Sequence, residues 1–336
     1  MIENTLTIYN TEKISDGKKA VSWFNTGERL LYDLSKKQIL KSFSPSHQNQ
    51  LYVFNKHVTY PNQNTDSVMT FLPGFPNGSI DWMKIDKLLE TANHLNRTFI
   101  EYVGQGDSDK PKEYSFSTFE RADLAEAIWK TRKIRSTFVI TFDYSSLVIM
   151  ELLRRQQERI EKGLTPETTI TKVLLVNGGY FIDGHSHPIM TTPFLKTIFG
   201  NMTTMRAQNS PRLFKNMIRP MWSKEYKVSD EELEEVFEAT TRRDGAFFMH
   251  KAAGFVDEHK ANGKRLDLLS IFEKMKDDVE FHIVGSEKDQ FEPRQVKLAR
   301  KRLGKYGVDI RIIPGGHMIT YEQPKKLTEI ILELSK

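Results

Sequence analysis

Asp143 is the residue that the sequence best equips for chemistry. It lies in Ser136–Leu153, STFVITFDYSSLVIMELL. A β-rich apolar run at 137–141 turns through Phe142-Asp143-Tyr144-Ser145-Ser146 and resumes with helical spacing at Leu147, Met150 and Leu153. A strand that feeds a helix through so tight a turn throws one side chain out at the carboxyl edge of the sheet, backed by the helix amino end. An acid there is exposed and aligned for attack, although Asp is also a common N-cap. Asp289 follows an apolar run at 279–284, in Gly285-Ser286-Glu287-Lys288-Asp289, and His317 follows another at 308–313, in Pro314-Gly315-Gly316-His317. The three would gather at the carboxyl ends of strands, where open α/β sheets place their sites. Their order is that of a nucleophile, an acid and a histidine.

The remaining elements must position these three. Trp23–Tyr32 and Gln50–Val58 alternate as strands, separated by a polar loop that includes Ser42–His47. Val68–Leu72 is a short strand ending in Pro73-Gly74-Phe75-Pro76-Asn77-Gly78, a run of turn formers. A helix over Ser79–Ala92, a strand over Thr98–Val103 and a helix over Phe119–Trp129 precede the strand of Asp143. Lys172–Asn177 is the next strand. Residues 184–262 then break the alternation, with four prolines, six of the twelve methionines and helical patterns only. It returns as Leu266–Met275 (helix), Val279–Val284 (strand), Glu292–Tyr306 (helix), Val308–Ile313 (strand) and Lys325–Leu334 (helix). This pattern predicts a doubly wound, mostly parallel α/β sheet. The expected division is an N-terminal arm at 1–20, a core at 21–183 and 263–336, and a helical insertion at 184–262.

A chain of 336 residues suits one large α/β domain with an insertion, or two domains. Hydrophobic residues at 38% and aromatics at 11% support a sizeable core and exclude a disordered chain. The net charge of +5 is spread in short runs such as Lys130–Arg135 and Lys297–Lys305 with acids interleaved. Solvated helix faces account for that, and no nucleic-acid partner is expected. With no cysteine, disulfides, thiolate metal sites and a Cys nucleophile are excluded. MIENTLTIYNTEKISDGKK carries no apolar core of signal-peptide length, and no stretch reaches the ~18 apolar residues of a membrane helix. A cytoplasmic protein is the expectation, its oligomeric state open.

Seven stretches then point to a family: LPGFPNGSIDWMKI (72–85), YVGQGDSDKPKEYSF (102–116), TFDYSSLV (141–148), VNGGYF (176–181), RRDGAFFMHKAAGFVDEHK (242–260), VGSEKDQFEP (284–293) and PGGHMITYEQP (314–324). In register, over roughly residues 22–335, the chain resembles α/β-hydrolases of the epoxide hydrolase and haloalkane dehalogenase group. The resemblance implies the α/β-hydrolase fold with a helical cap over 184–262, and a reaction without cofactor or metal on a small apolar substrate. By that resemblance Asp143 matches the nucleophile, Asp289 the acid and His317 the base. The backbone N–H groups of Phe75 and Tyr144 match the oxyanion donors. Asp143 would form an alkyl–enzyme ester, and His317, held by Asp289, would activate the water that hydrolyses it. Such chemistry suits epoxides first and alkyl halides second. A Ser nucleophile would suit esters, but Gly-x-Ser-x-Gly does not occur, and Ser145 and Ser146 lie past the apex of the turn.

The chain departs from the family at several points. Pro73-Gly74 replaces His-Gly, Phe142 replaces the His before the acid, and Thr141 and Ser145 replace small residues, usually Gly, that relieve crowding at the turn. A hydrolase fold that has lost turnover and binds a ligand or partner is therefore the alternative. Tyr144 stands where dehalogenases place a halide-holding Trp. Epoxide hydrolases protonate the epoxide oxygen with two cap tyrosines; Tyr226 and Tyr180 are the candidates here, with Trp222 as a further pocket residue. Met190, Met202, Met205, Met217, Met221 and Met249, with Trp222, Phe247 and Phe248, would form either an adaptable apolar pocket or plain helical core. His185 and His187 read as a hinge or surface pair rather than metal ligands.

Overall fold

The computed structural model describes residues 19–43, 49–60, 67–92 and 95–336. Nine strands form one sheet: β1 (Glu28–Asp33), β2 (Gln38–Leu40), β3 (Gln50–Val58), β4 (Ser67–Leu72), β5 (Arg97–Ile100), β6 (Ser136–Phe142), β7 (Thr169–Val176), β8 (Glu280–Ser286) and β9 (Asp309–Ile313). Their order is β2-β1-β3-β5-β4-β6-β7-β8-β9. The β1–β2, β1–β3 and β3–β5 pairs are antiparallel, and the pairs from β5 through β9 are parallel. The six parallel strands are those expected from the alternating pattern. Strand β6 lies between β4 and β7, and all its residues after Ser136 are buried. A parallel strand covered on both faces requires such a continuous apolar run. Its polar members are satisfied internally: Trp129 Nε1 donates to Thr70 Oγ1 at 2.9 Å, and the Thr70 and Thr137 hydroxyls meet at 2.8 Å.

Trp23–Tyr32 is not one strand. Lys19–Phe24 is a helix, and β1 begins only at Glu28. The Thr26 hydroxyl donates to Trp23 O at 2.7 Å, and a Cβ on Gly27 would stand 2.3 Å from the Phe54 ring. The chain therefore turns and passes β3 at glycine distance. Strand β5 stops at Ile100, short of the expected Val103. The buried Glu101 carboxylate that follows accepts from Ser79 N–H at 3.0 Å and from the Ser79 hydroxyl. Residues 1–18, and with them most of the expected arm, lie outside the described residues, as does 44–48 of the polar loop.

Between β7 and β8 lie α-helices at Thr192–Leu195, Ile198–Ala207, Pro211–Ile218, Asp230–Thr241, Phe248–Ala252, Phe255–Ala261 and Leu268–Met275, with no strand among the described residues. Their starts follow the local chemistry. Ser229 and Glu232 form a reciprocal capping box, and the Thr197 hydroxyl accepts from Gly200 N–H. The segment is tied to the sheet by Arg242 and Arg243, which reach Asp107 at 2.5 and 2.9 Å, and by Phe248 and Phe255, each 5.8 Å from the Phe75 ring. No helix among the described residues is long and apolar enough to cross a membrane.

Candidate active site

Asp143 sits between the end of β6 and the helix Ser145–Glu161, with φ 54°. That region is sparsely populated by residues other than glycine, and local bonds hold it. Asp143 N–H donates to Val176 O at 3.0 Å, and Asp143 O accepts from Ser146 N–H at 3.1 Å. The loop after β4 wraps the apex closely. A Cβ on Gly74 would stand 2.6 Å from the Phe142 ring and 3.1 Å from Asp143 Cβ. Gly74 N–H donates to Asp81 Oδ2 at 3.0 Å, and Asn77 Nδ2 donates to Asp81 Oδ1 at 2.8 Å. The next N–H, that of Phe75, donates to Asp143 Oδ2 at 2.9 Å.

The three side chains gathered from distant segments meet here. His317 Nε2 lies 3.6 Å from Asp143 Oδ1, and His317 Nδ1 lies 3.2 Å from both Asp289 oxygens. Asp289 Oδ1 also accepts from Phe291 N–H at 2.9 Å and Glu292 N–H at 3.0 Å, which fixes the carboxylate. Asn177, at the end of β7, ties the loops together. Its Nδ2 donates to His317 O at 2.8 Å and Ser286 Oγ at 3.0 Å, and its Oδ1 accepts from Ser286 N–H at 2.7 Å.

The electrostatics separate the two ionisable partners of the contact. Burial pushes the Asp143 carboxyl upward, opposed by His317, by the backbone N–H groups of Phe75 and Tyr144, and by His187. Burial pulls the His317 imidazole down, but Asp289, then Asp143 and Glu292, outweigh it and raise the ring to about 9. Asp81 is pushed up to about 7 by burial, against the hydrogen bonds from Asn77 and Gly74.

Asp143, His317 and Phe75 line a cavity of about 520 Å³ with Met217, Met221 and Phe255. That volume suits a small or medium apolar ligand. Met190 and Met249 also line it, whereas Met202 and Met205 are exposed and Trp222, Phe247 and Phe248 stay outside the lining. Tyr180, Tyr226 and Trp222, expected as pocket residues, do not reach it. The Tyr180 hydroxyl donates to Leu175 O at 3.2 Å and accepts from Gly178 N–H at 2.9 Å. The Tyr226 hydroxyl donates to Glu232 at 2.6 Å, and Trp222 packs edge-on to Tyr321 with centroids 5.8 Å apart. Each answers a local partner instead of the cavity.

Two features escaped the sequence. His187 lines the cavity, and His185 and His187 form no exposed hinge. His185 Nδ1 and His187 Nε2 lie 2.6 and 2.8 Å from Glu292 Oε1, and His185 Nε2 lies 2.8 Å from His259 Nδ1. The three ligand-type atoms lie within 4.8 Å of one another, close enough for a metal site. Their contacts with Glu292 are hydrogen-bond lengths, however, and the chain continues through His259 Nε2 to Leu266 O at 3.0 Å. No sequence signal joins His187 to Glu292 across 105 positions. Asn177 and Asp81 lie in stretches that carry the family resemblance, but their hydrogen-bonding roles there were not singled out.

Residues 71–330 match the Alpha/beta hydrolase family. The chain belongs to that family. It is similar to the mesoderm-specific transcript homolog protein of Bos taurus, 27% identical over 203 residues, 59% of this chain and 58% of that protein. A putative hydrolase, LipZ, of Mycobacterium tuberculosis is 23% identical over 198 residues, 59% of this chain and 65% of that protein. The matched stretch thus spans less than two thirds of either relative. Among solved structures, a thermophilic esterase from Thermogutta terrifontis superposes with a TM-score of 0.64 at 13% identity, over 91% of this chain and 97% of that one. The sheet and its flanking helices are therefore the α/β-hydrolase fold.

Proposed function

We propose that this hydrolase uses Asp143 as a nucleophile on a small apolar electrophile, most closely an epoxide. One observation carries the reading. The Asp143 carboxylate stands at the apex of the turn with one oxygen on Phe75 N–H and the other toward His317, on the wall of an apolar cavity. The adjacent hydroxyls are committed elsewhere. The Ser145 hydroxyl donates to Pro73 O and lies 2.9 Å from the Tyr102 hydroxyl, and Ser146 Oγ accepts from Gly179 N–H at 3.1 Å. That favours an alkyl–enzyme ester over a Ser-based one. Neither Pro73 nor Ser145 lines the cavity, which supports turnover over a binding-only role.

In this mechanism Asp143 Oδ1 attacks a ring carbon and the C–O bond breaks, its electron pair leaving on oxygen. Oδ2, fixed by Phe75 N–H, becomes the ester carbonyl. With the two tyrosines outside the cavity, His187 is the proton donor in reach. Its Nε2 faces Glu292, and its Nδ1 is a buried nitrogen without a hydrogen-bond partner among the described residues. A proton carried on Nδ1 passes to the leaving oxygen while Nε2 stays on Glu292, and the ring regains a proton from solvent. Esterification removes the Asp143 charge, one of the groups that hold a proton on His317, so His317 releases its Nε2 proton to solvent and can act as base. It takes a proton from water as the water oxygen adds to the ester carbon. The oxyanion on Oδ2 then faces the Phe75 and Tyr144 N–H groups. Collapse breaks the bond between the Asp143 carboxyl carbon and the alkyl oxygen, which takes the proton from His317 and leaves as part of the diol; the water's second proton, left on the Asp143 carboxyl, returns to His317. The helices within 184–262 serve as the cap that excludes bulk water.

A panel of epoxides, haloalkanes and esters tests the reading against wild type, Asp143→Ala and Ser145→Ala. Turnover is expected on epoxides, lost in Asp143→Ala and retained in Ser145→Ala. Turnover that survives without Asp143 removes it from the nucleophile role.

A further inference from the structure

The helix Ile198–Ala207 is built inside out. Its large apolar residues Ile198, Phe199, Met202 and Met205 are exposed at 70%, 69%, 48% and 51%, while Gly200, Thr204 and Ala207 are buried. The exposed positions recur at helical spacing along one face. Ile189 and Met190, in the turn before the preceding short helix Thr192–Leu195, are exposed at 80% and 72%. The inner face has to be small. A Cβ on Gly200 would stand 2.3 Å from Phe194 O, so the helix approaches its neighbour at backbone distance. Large exposed apolar patches on a globular chain mark interaction surfaces.

Charge says which surface it meets. From Gly184 to Lys224 there is no Asp or Glu, in a chain that holds 44 of them. The same stretch carries Lys196, Arg206, Arg212, Lys215, Arg219 and Lys224. Arg206 is exposed on the apolar face itself, one residue after Met205, and Arg212 is exposed at the start of the next helix. Lys196, Lys215 and Arg219 pair with Asp257, Glu234 and Asp230 from other segments. The exposed Arg206 and Arg212 have no ion-pair partner among the described residues, and free cations beside an apolar face are the complement of an anionic lipid surface. The segment also opens inward. Met190, Phe194, Leu195 and Thr203 line the cavity that holds Asp143 and His317.

We propose that this face docks on an anionic lipid bilayer and that the apolar substrate enters the cavity from it. Docking stands on the surface alone; only the delivery of substrate rests on the Asp143 reading. The test is co-sedimentation of the full chain with phosphatidylcholine vesicles, with and without phosphatidylserine. Wild type and Asp143→Ala pellet alike with phosphatidylserine vesicles and much less without the anionic lipid. The double variant Phe199→Glu/Met202→Glu weakens partitioning about tenfold or more, and Arg206→Glu about tenfold on anionic vesicles only. Both change exposed side chains, and near-ultraviolet circular dichroism checks that the fold is kept. Partitioning that ignores phosphatidylserine, or that the double variant leaves intact, overturns the proposal. So does a concentration-dependent dimer that the double variant dissolves, which would assign the face to a second copy of the chain. Vesicle binding by a protein that turns over no electrophile supports the surface and overturns only the Asp143 reading.

Discussion

Asp289→Asn isolates the charge that holds a proton on His317. The substitution keeps an oxygen where Asp289 Oδ1 accepts the Phe291 and Glu292 N–H groups, and it removes the charge 3.2 Å from His317 Nδ1. In the wild type the ring is raised from 6.5 to about 9 although burial alone would lower it. A rise of that size corresponds to roughly 3 kcal/mol of preference for the charged ring in the folded state. Because the folded value lies above the unfolded one, this stabilisation is complete below pH 6.5 and is lost as pH rises through about 9. Asp289 is the foremost of the groups that raise the ring. The variant should therefore lose on the order of 2–3 kcal/mol of unfolding free energy at about pH 6 and much less at about pH 10. Urea denaturation of both proteins at the two pH values measures the difference, and histidine nitrogen NMR follows His317 directly. Equal destabilisation at both pH values, or an unmoved His317 titration, would mean that the Asp289 charge does not hold the proton on His317.

His187→Phe should slow adduct formation with an epoxide by about 10²–10⁴-fold, while adduct formation with an alkyl bromide, whose leaving group takes no proton, changes far less. Single-turnover mass spectrometry reads both, and equal loss on the two electrophiles would leave His187 as cavity wall only. Gly74→Ala drives a methyl to 2.6 Å from the Phe142 ring. Overpacking there should cost about 1–3 kcal/mol in urea denaturation and displace the Phe75 N–H, so a variant with unchanged stability and turnover would contradict the tight fit.

The sheet was legible because its signals are local. Buried parallel strands need continuous apolar runs, and the runs ending at Thr141, Asn177 and Val284 supplied them. The turn at Asp143 was legible for the same reason, since strand, apex and helix are contiguous. Trp23 and Phe24 misled because their burial comes from a helix docked on β3, which alternation along the chain cannot distinguish from a strand. Tyr180 and Tyr226 were chosen by residue type, whereas their direction is set by Leu175 O and Glu232. His187 was passed over because its partner, Glu292, comes from beyond β8. Met202 and Met205 looked like core residues. They face outward because Gly200 and Thr204 are needed on the inner side.

In the proposed reaction Asp143 makes a covalent bond to the substrate and His317 undoes it. The direct test is His317→Phe, incubated with reactive epoxides and alkyl bromides and followed by intact-protein mass spectrometry and peptide mapping. Without the base, ester hydrolysis should slow by about 10²–10⁴-fold while the Asp143 carboxylate remains free to attack. An adduct should accumulate in the variant on the peptide containing Asp143 and be absent when Asp143 is also replaced by Ala. No adduct in either wild type or variant across the panel, or label confined to Ser145, Ser146 or any other residue, would contradict it.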